Sequence, residues 1–146
     1  MIQLSIAGTE DTYSLAPSKI IALGMNYMAH VEEDVLQGDK ELRERPPEPI
    51  LFPKTPNVLI GPGEPIVIPA FIKDYHFDRP QVDYEAELAV IIGKQCKNVP
   101  QEEALDCVFG YTCMNDVSQR NIQKGDNSGW FRGKSLDTFG PIGPQI

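Results

Sequence analysis

The stretch Val82-Asp83-Tyr84-Glu85-Ala86-Glu87-Leu88-Ala89-Val90-Ile91-Ile92-Gly93 decides how this chain is read. Its alternation is that of a β-strand, in which successive side chains point to opposite faces. One face carries Asp83, Glu85, Glu87, Ala89 and Ile91, and the other carries Tyr84, Ala86, Leu88, Val90 and Ile92. The second face is almost wholly apolar, so the strand is expected to enter a core with its acidic end still attached. Like charges crowded on a half-buried surface repel one another and resist desolvation. A divalent cation reverses that cost, because hard cations take oxygen ligands and favour the ionised form. Glu85 and Glu87 are therefore candidate metal ligands. Asp116, at the end of a second apolar segment, is the natural third. With neither sulfur nor imidazole in the set, Mg²⁺, Mn²⁺ or Ca²⁺ suits it better than zinc. On spacing alone, E-x-E on a strand is more often a solvated edge than a metal cradle.

Outward from this segment, the chain reads as short strands between Gly and Pro breakers, a β-rich pattern with few helices. IQLSI, a turn from Gly8 to Asp11, and TYSL form an N-terminal hairpin in residues 1–18. Lys19 to Gly24 is a buried strand. Asn26 is placed to cap a helix over NYMAHVEEDVLQ, with Tyr27, Val31 and Val35 on one stripe. Residues 37–48, charged and then proline-rich, read as an exposed or mobile loop. ILFPK, VLIG and PIVIP are expected to be short strands. Pro100 to Val108 reads as a short helix with proline and acids in its first turn, and FGYTCMND as a strand.

Bulk properties bound the function. The chain has 146 residues, 13 Lys+Arg against 21 Asp+Glu, and a net charge of −8. An acidic chain has no long-range attraction for phosphate backbones, so no nucleic-acid partner is expected. No apolar run is long enough to span a bilayer, and the N-terminus lacks a signal-peptide pattern, so no membrane partner is expected. Cys96, Cys107 and Cys113 contain no C-x-x-C pair and read as reduced thiols of a cytoplasmic protein. Cys107 and Cys113 are expected in the core.

A second constellation is His30 with Glu33. Three apart on a helix, the carboxylate can orient the imidazole and raise its basicity. A surface histidine beside the run Glu32-Glu33-Asp34 is the commoner meaning of that pattern. His76, in a polar loop, reads as solvent-exposed.

Several short motifs in order now carry a resemblance. Gly24-Met-Asn-Tyr27, Ala29-His30-Val-Glu-Glu33, LFPK, IGPG, DYEAELAVIIGK, GYTCMNDVSQRNIQ and RGKSLDTFGPIGP resemble the fumarylacetoacetate hydrolase family from about Lys19 onward. The resemblance implies a β-rich α+β fold, a mixed β-sheet roll of the fumarylacetoacetate hydrolase C-terminal-domain type, over residues 19–146. It implies that Glu85, Glu87 and Asp116 hold Mg²⁺ or Mn²⁺, and that His30 and Glu33 activate water. Arg120 and Gln123 match substrate-holding positions, Lys134 a lysine facing the reacting carbonyl, and Lys54 a basic substrate-side residue. The loop after His30 matches a lid.

The implied chemistry begins with a 2-oxo acid that chelates the metal through its carboxylate and 2-oxo oxygen. His30 deprotonates water for attack on the more distant carbonyl, Lys134 and Gln123 stabilise the oxyanion, and a C–C bond breaks. The implied activity is hydrolysis of an acylpyruvate- or fumarylpyruvate-type acid. Isomerisation or decarboxylation of unsaturated 2-oxo diacids in aromatic-compound catabolism is the alternative, and a non-catalytic fragment or subunit that keeps the fold is another.

The pattern departs from the family at its end. Relatives continue past G-P-x-I into further strands with a T-G-T-P segment, so the roll is expected to be incomplete at its C-terminus, with unpaired edges. A fragment, a split enzyme or a remnant would each look this way. The partner expected is a second copy in a homodimer, or a complementing C-terminal chain.

Overall fold

The computed structural model describes residues 1–29, 46–128 and 130–146. His30, Glu33, most of the helix expected after Asn26, and residues 37–45 of the expected loop lie outside them. Ten short strands occur among the described residues, and they pair two by two. β1 (Ile2–Ser5) and β2 (Thr12–Leu15) form the antiparallel hairpin that the sequence announces. β3 (Ile20–Gly24) pairs antiparallel with β4 (Ile50–Lys54). β5 is Leu59–Ile60, β6 is Val82–Asp83, and β7 is Ala86–Ile92. β8 (Val108–Asn115) runs antiparallel to β7, β9 (Ser118–Gln119) antiparallel to β6, and β10 (Gly140–Pro141) parallel to β5.

The β7–β8 hairpin is the longest pairing, and its composition explains it. AELAVII has no breaker, and its β-branched residues suit a pleated surface. Gly93 ends it: the Gly93 amide donates to the Cys107 carbonyl at 2.8 Å. A side chain there would bring its Cβ within 2.8 Å of the Phe109 Cβ. Glycine is what permits this approach.

One apolar core joins hairpin, sheets and tail. Leu4 and Leu15 pack with Val58, Ile91, Met114 and Ile142. The tail after β10 threads between these elements: Gly143 donates to the Cys113 carbonyl, and Ile146 exchanges backbone hydrogen bonds with Ser5 and Ala7.

Five expectations are corrected here. The acidic stretch is two strands, broken at Tyr84 and Glu85, because the Glu85 amide donates to the Asn115 side chain and its carbonyl accepts from the Asp116 amide. Its apolar face is the outward one: Leu88 is 58% and Val90 48% exposed, whereas Ile91 on the acidic face is 7% exposed. PIVIP is not a strand. Pro65 and Pro69 have no N–H to give a ladder, and Val67 is bonded instead to the Thr138 hydroxyl. Cys113 is exposed, since it stands opposite Leu88 on the outward face, while Cys107 is buried as expected. The expected helix after Pro100 is a 3₁₀ segment, Gln101–Cys107.

Candidate active site

The break between β6 and β7 puts Glu85 beside the end of β8, where Asp116 follows Asn115. A short helix, Phe131–Lys134, begins after Trp130, whose φ of +69° turns the chain sharply. Its last residue, Lys134, is buried and reaches between the two acids. Lys134 Nζ lies 2.6 Å from Glu85 Oε2 and 2.8 Å from Asp116 Oδ2. The same nitrogen stands 5.2 Å from the centre of the Phe52 ring. That ring meets Trp130 edge-on. The ammonium is thus held by two carboxylates and backed by an aromatic wall.

Lys54, the last residue of β4, approaches from the opposite side. Its Nζ donates to Asp116 Oδ1 at 2.5 Å and to the backbone carbonyl of Lys134. Each oxygen of Asp116 therefore faces a different lysine. Burial pushes the Lys54 ammonium below its usual range, while the charge and hydrogen bond of Asp116 pull it back up.

Arg120, in the short helix Arg120–Gln123, closes the network on the solvent side. Its guanidinium reaches Glu85 Oε1 at 2.6 Å and Asp83 Oδ2 at 3.0 Å, and donates to Gln123 Oε1 at 3.0 Å. Ser118 donates its hydroxyl to Glu85 Oε1 at 3.1 Å. Gln119 starts the helix by accepting from the Asn121 amide.

Of the residues singled out in the sequence, Lys54, Glu85, Asp116, Arg120, Gln123 and Lys134 come together in this one network. Glu87 lies two residues on, along the inward side of β7, opposite Met114. His76 is exposed, at the end of the 3₁₀ segment Ala70–Tyr75. Three contributors were not singled out: Asp83 as an ion-pair partner of Arg120, Ser118, and Phe52. Ser118 is the serine of N-D-V-S, and Phe52 the aromatic residue of LFPK, so both were in view as parts of motifs.

The donor set can be weighed against a hard cation. Glu85 Oε2 and Asp116 Oδ2 converge on one point, and that point holds Lys134 Nζ. Two oxygen donors of the right chemistry therefore already meet. Among the described residues, no three His, Cys, Asp or Glu side chains stand close enough to form a ready-made metal site. The carboxylates present fit a divalent ion as donors, with an ammonium now between two of them.

Residues 19–146 match the family model described as the fumarylacetoacetate hydrolase C-terminal domain. The chain belongs to the fumarylacetoacetate hydrolase family. It spans about half the length of the curated relatives it matches, or less (47%, 55% and 39% of three of them). It is 43% identical over 132 residues to the mitochondrial oxaloacetate tautomerase of Xenopus laevis, covering 89% of this chain and 37% of that one. The solved 5-carboxymethyl-2-hydroxymuconate delta-isomerase of Mycobacterium smegmatis shares 42% identity at a TM-score of 0.69, over 88% of this chain and 43% of that one. The fumarylpyruvate hydrolase of Pseudomonas aeruginosa, solved with Mn²⁺ and pyruvate, shares 28% identity at a TM-score of 0.71, over 97% of this chain and 57% of that one. The fold is thus that of the fumarylacetoacetate hydrolase C-terminal domain, β-rich with short helices. Members of the family include a hydrolase, isomerases and a tautomerase. Among the described residues, no helix is long and apolar enough to cross a membrane.

Proposed function

We propose that this chain carries the reacting centre of a divalent-metal-dependent hydrolase that cleaves a C–C bond of an acylpyruvate- or fumarylpyruvate-type 2-oxo acid. The observation that carries it is the placement of Lys134 Nζ between Glu85 and Asp116, with Arg120 and Gln123 alongside. A cation donor, hard-oxygen ligands and a guanidinium within one site suit a substrate with a carboxylate at one end and a carbonyl that gains negative charge.

In this reading Glu85, Glu87 and Asp116 would hold Mg²⁺ or Mn²⁺, which would supply Lewis-acid polarisation of the substrate oxygens. Arg120 binds the substrate carboxylate, and Gln123, hydrogen-bonded to it, fixes its orientation. Lys134 donates a hydrogen bond to the carbonyl oxygen under attack. His30, oriented by Glu33, takes the proton from the attacking water, as the family resemblance implies. Burial keeps Lys54 against Asp116, so its part in holding substrate is carried through that aspartate. The working assembly is a homodimer or a pairing with a complementing chain, and the compartment is the cytoplasm.

A second reading has its own support. Relatives at 42% and 43% identity are an isomerase and an oxaloacetate tautomerase. The same charge-stabilising residues serve proton transfer next to a 2-oxo group, with no water attack required. An acylpyruvate, oxaloacetate and a 2-hydroxydienoate, assayed side by side with Mg²⁺ or Mn²⁺, separate the readings. The first expects pyruvate from the acylpyruvate, falling by roughly 10²–10³-fold in Lys134→Met. Enol–keto interconversion or a double-bond shift without C–C cleavage supports the second. No turnover of any of the three, in a folded protein, would leave a subunit that retains only the fold.

A further inference from the structure

The two short helices that carry Arg120, Gln123 and Lys134 also border a cleft of about 490 Å³ that the proposed chemistry does not use. A volume of that size is within the range of small-molecule sites. One wall is aromatic: the rings of Tyr75 and Phe77 stack with centres 5.3 Å apart and planes 19° apart. Ile122 adds a buried apolar side chain to the lining. Lys124 and Arg132 line the same cleft. The Arg132 guanidinium donates to the Tyr75 hydroxyl at 2.6 Å, which fixes its charged head at the edge of the aromatic wall.

The charges narrow the choice of ligand. Lys54, Arg120 and Lys134 are each ion-paired with carboxylates. Among the described residues, Lys124 and Arg132 have no such ion pair. Asp126, the acid of the lining, already has both oxygens engaged. Its Oδ1 accepts from the Ser128 amide at 3.0 Å, and its Oδ2 from the Ser128 hydroxyl at 2.6 Å and the Arg132 amide at 3.0 Å. The lining is therefore net cationic within a chain of net charge −8, and its two cations keep donors to spare.

We propose that this cleft binds a small planar carboxylate, an aromatic or conjugated acid. Its flat body lies on the Tyr75–Phe77 wall, and its carboxylate meets Lys124 and Arg132. An inorganic anion would use the cations and leave the aromatic wall open to water. A neutral aromatic molecule would use the wall and leave the charges unanswered. Among the described residues, Glu85, Asp116, Arg120 and Lys134 do not line the cleft, so its occupant is a second ligand and not the molecule that reacts.

The cleft and the reacting centre nevertheless share a frame. Gly133 lies so close to the neighbouring helix that a Cβ there would come within 2.9 Å of the Gln123 amide nitrogen. The Lys124 amide donates to the Arg120 carbonyl at 3.0 Å. A ligand that draws on Lys124 and Arg132 thus acts on the two helices that hold Arg120, Gln123 and Lys134. Sequence alone does not show the cleft, because only the fold brings Tyr75 and Phe77 to Lys124 and Arg132.

The test is isothermal titration of trans-cinnamate into the full chain without added metal, with amide-shift NMR to locate it. The expected result is one saturable site with Kd of roughly 0.1–1 mM and shifts centred on residues 121–128. Lys124→Gln and Arg132→Gln, both at exposed positions, should each weaken binding about fivefold or more. Cinnamamide, of similar shape without the charge, should bind at least about tenfold more weakly than cinnamate. Tyr75→Leu should also weaken binding, and more than Tyr75→Phe, which keeps the ring. No saturable binding, shifts centred on Glu85 and Asp116, displacement of cinnamate by an equal concentration of inorganic phosphate, or unchanged affinity in both charge variants would overturn the proposal. None of these readouts depends on turnover, so the cleft stands or falls separately from the reaction proposed for the site.

Discussion

Lys54 shows how much of this site rests on charge held out of water. Its side chain is 1% exposed, and its ammonium faces Asp116, a main-chain carbonyl and no solvent. Removing one partner of such a buried pair leaves the other charge uncompensated, which costs about 3–5 kcal/mol. Lys54→Met should therefore lower unfolding free energy by roughly that amount in urea titrations, whereas Arg120→Met, at the exposed rim, should cost about 1 kcal/mol or less. Equal losses for the two would mean that Lys54 is not the buried brace of Asp116. Asp126 is a contrasting residue. Hydrogen bonds from the Ser128 side chain and from the Ser128 and Arg132 amides hold its carboxyl below the usual range. A depressed carboxyl stabilises the folded state fully above the ordinary carboxylate pKa, and that contribution is lost as pH falls through the lower folded value. Carboxyl-carbon NMR should show Asp126 titrating below the ordinary carboxylate range, and Ser128→Ala should move it back up.

At the scale of elements, the strands were written in the sequence more plainly than their orientation. IQLS, TYSL, IIALG, ILFPK and AELAVII all appear where alternation and breakers put them. Alternation says that two faces differ but not which one is buried. For β7 the apolar face was assigned to the core, and it is the acidic face that turns inward through Ala89 and Ile91. PIVIP failed for a related reason: its residues favour a strand, yet its prolines give no N–H to a ladder and Val67 bonds to the Thr138 hydroxyl instead of a strand. The site was legible in part. Glu85, Asp116 and Lys134 were singled out, but nothing in their spacing reveals that an ammonium stands between the two carboxylates, since that depends on the turn at Trp130. The orientation of β7 has a direct check. Ile91→Ala should cost about 2–5 kcal/mol of unfolding free energy, while Val90→Ala, on the outward side, should cost well under half as much. The reverse ranking in denaturant melts would restore the original assignment of faces.

For the whole molecule, the relevant facts are scale and surface. The chain spans about half of its relatives, its strands pair only in twos among the described residues, and Leu88, Val90, Ile92 and Tyr111 lie open on one hairpin face. Two-stranded units are marginal by themselves and depend on what packs against them. Here the shared core of Leu4, Leu15, Val58, Ile91, Met114 and Ile142 supplies one side, and a homodimer or complementing chain is the proposed cover for the other. The proposed chemistry rests on the meeting of Glu85 and Asp116 on a single cation, the Lys134 ammonium. If those oxygens belong to a metal centre, a divalent ion must compete with Lys134 for them. Titration of Mn²⁺ into the purified chain, followed by electron paramagnetic resonance, measures this directly. Saturable binding in the wild type, weakened at least about tenfold in Glu85→Ala and strengthened in Lys134→Met, is the predicted result. Equally weak Mn²⁺ binding by all three proteins would contradict it.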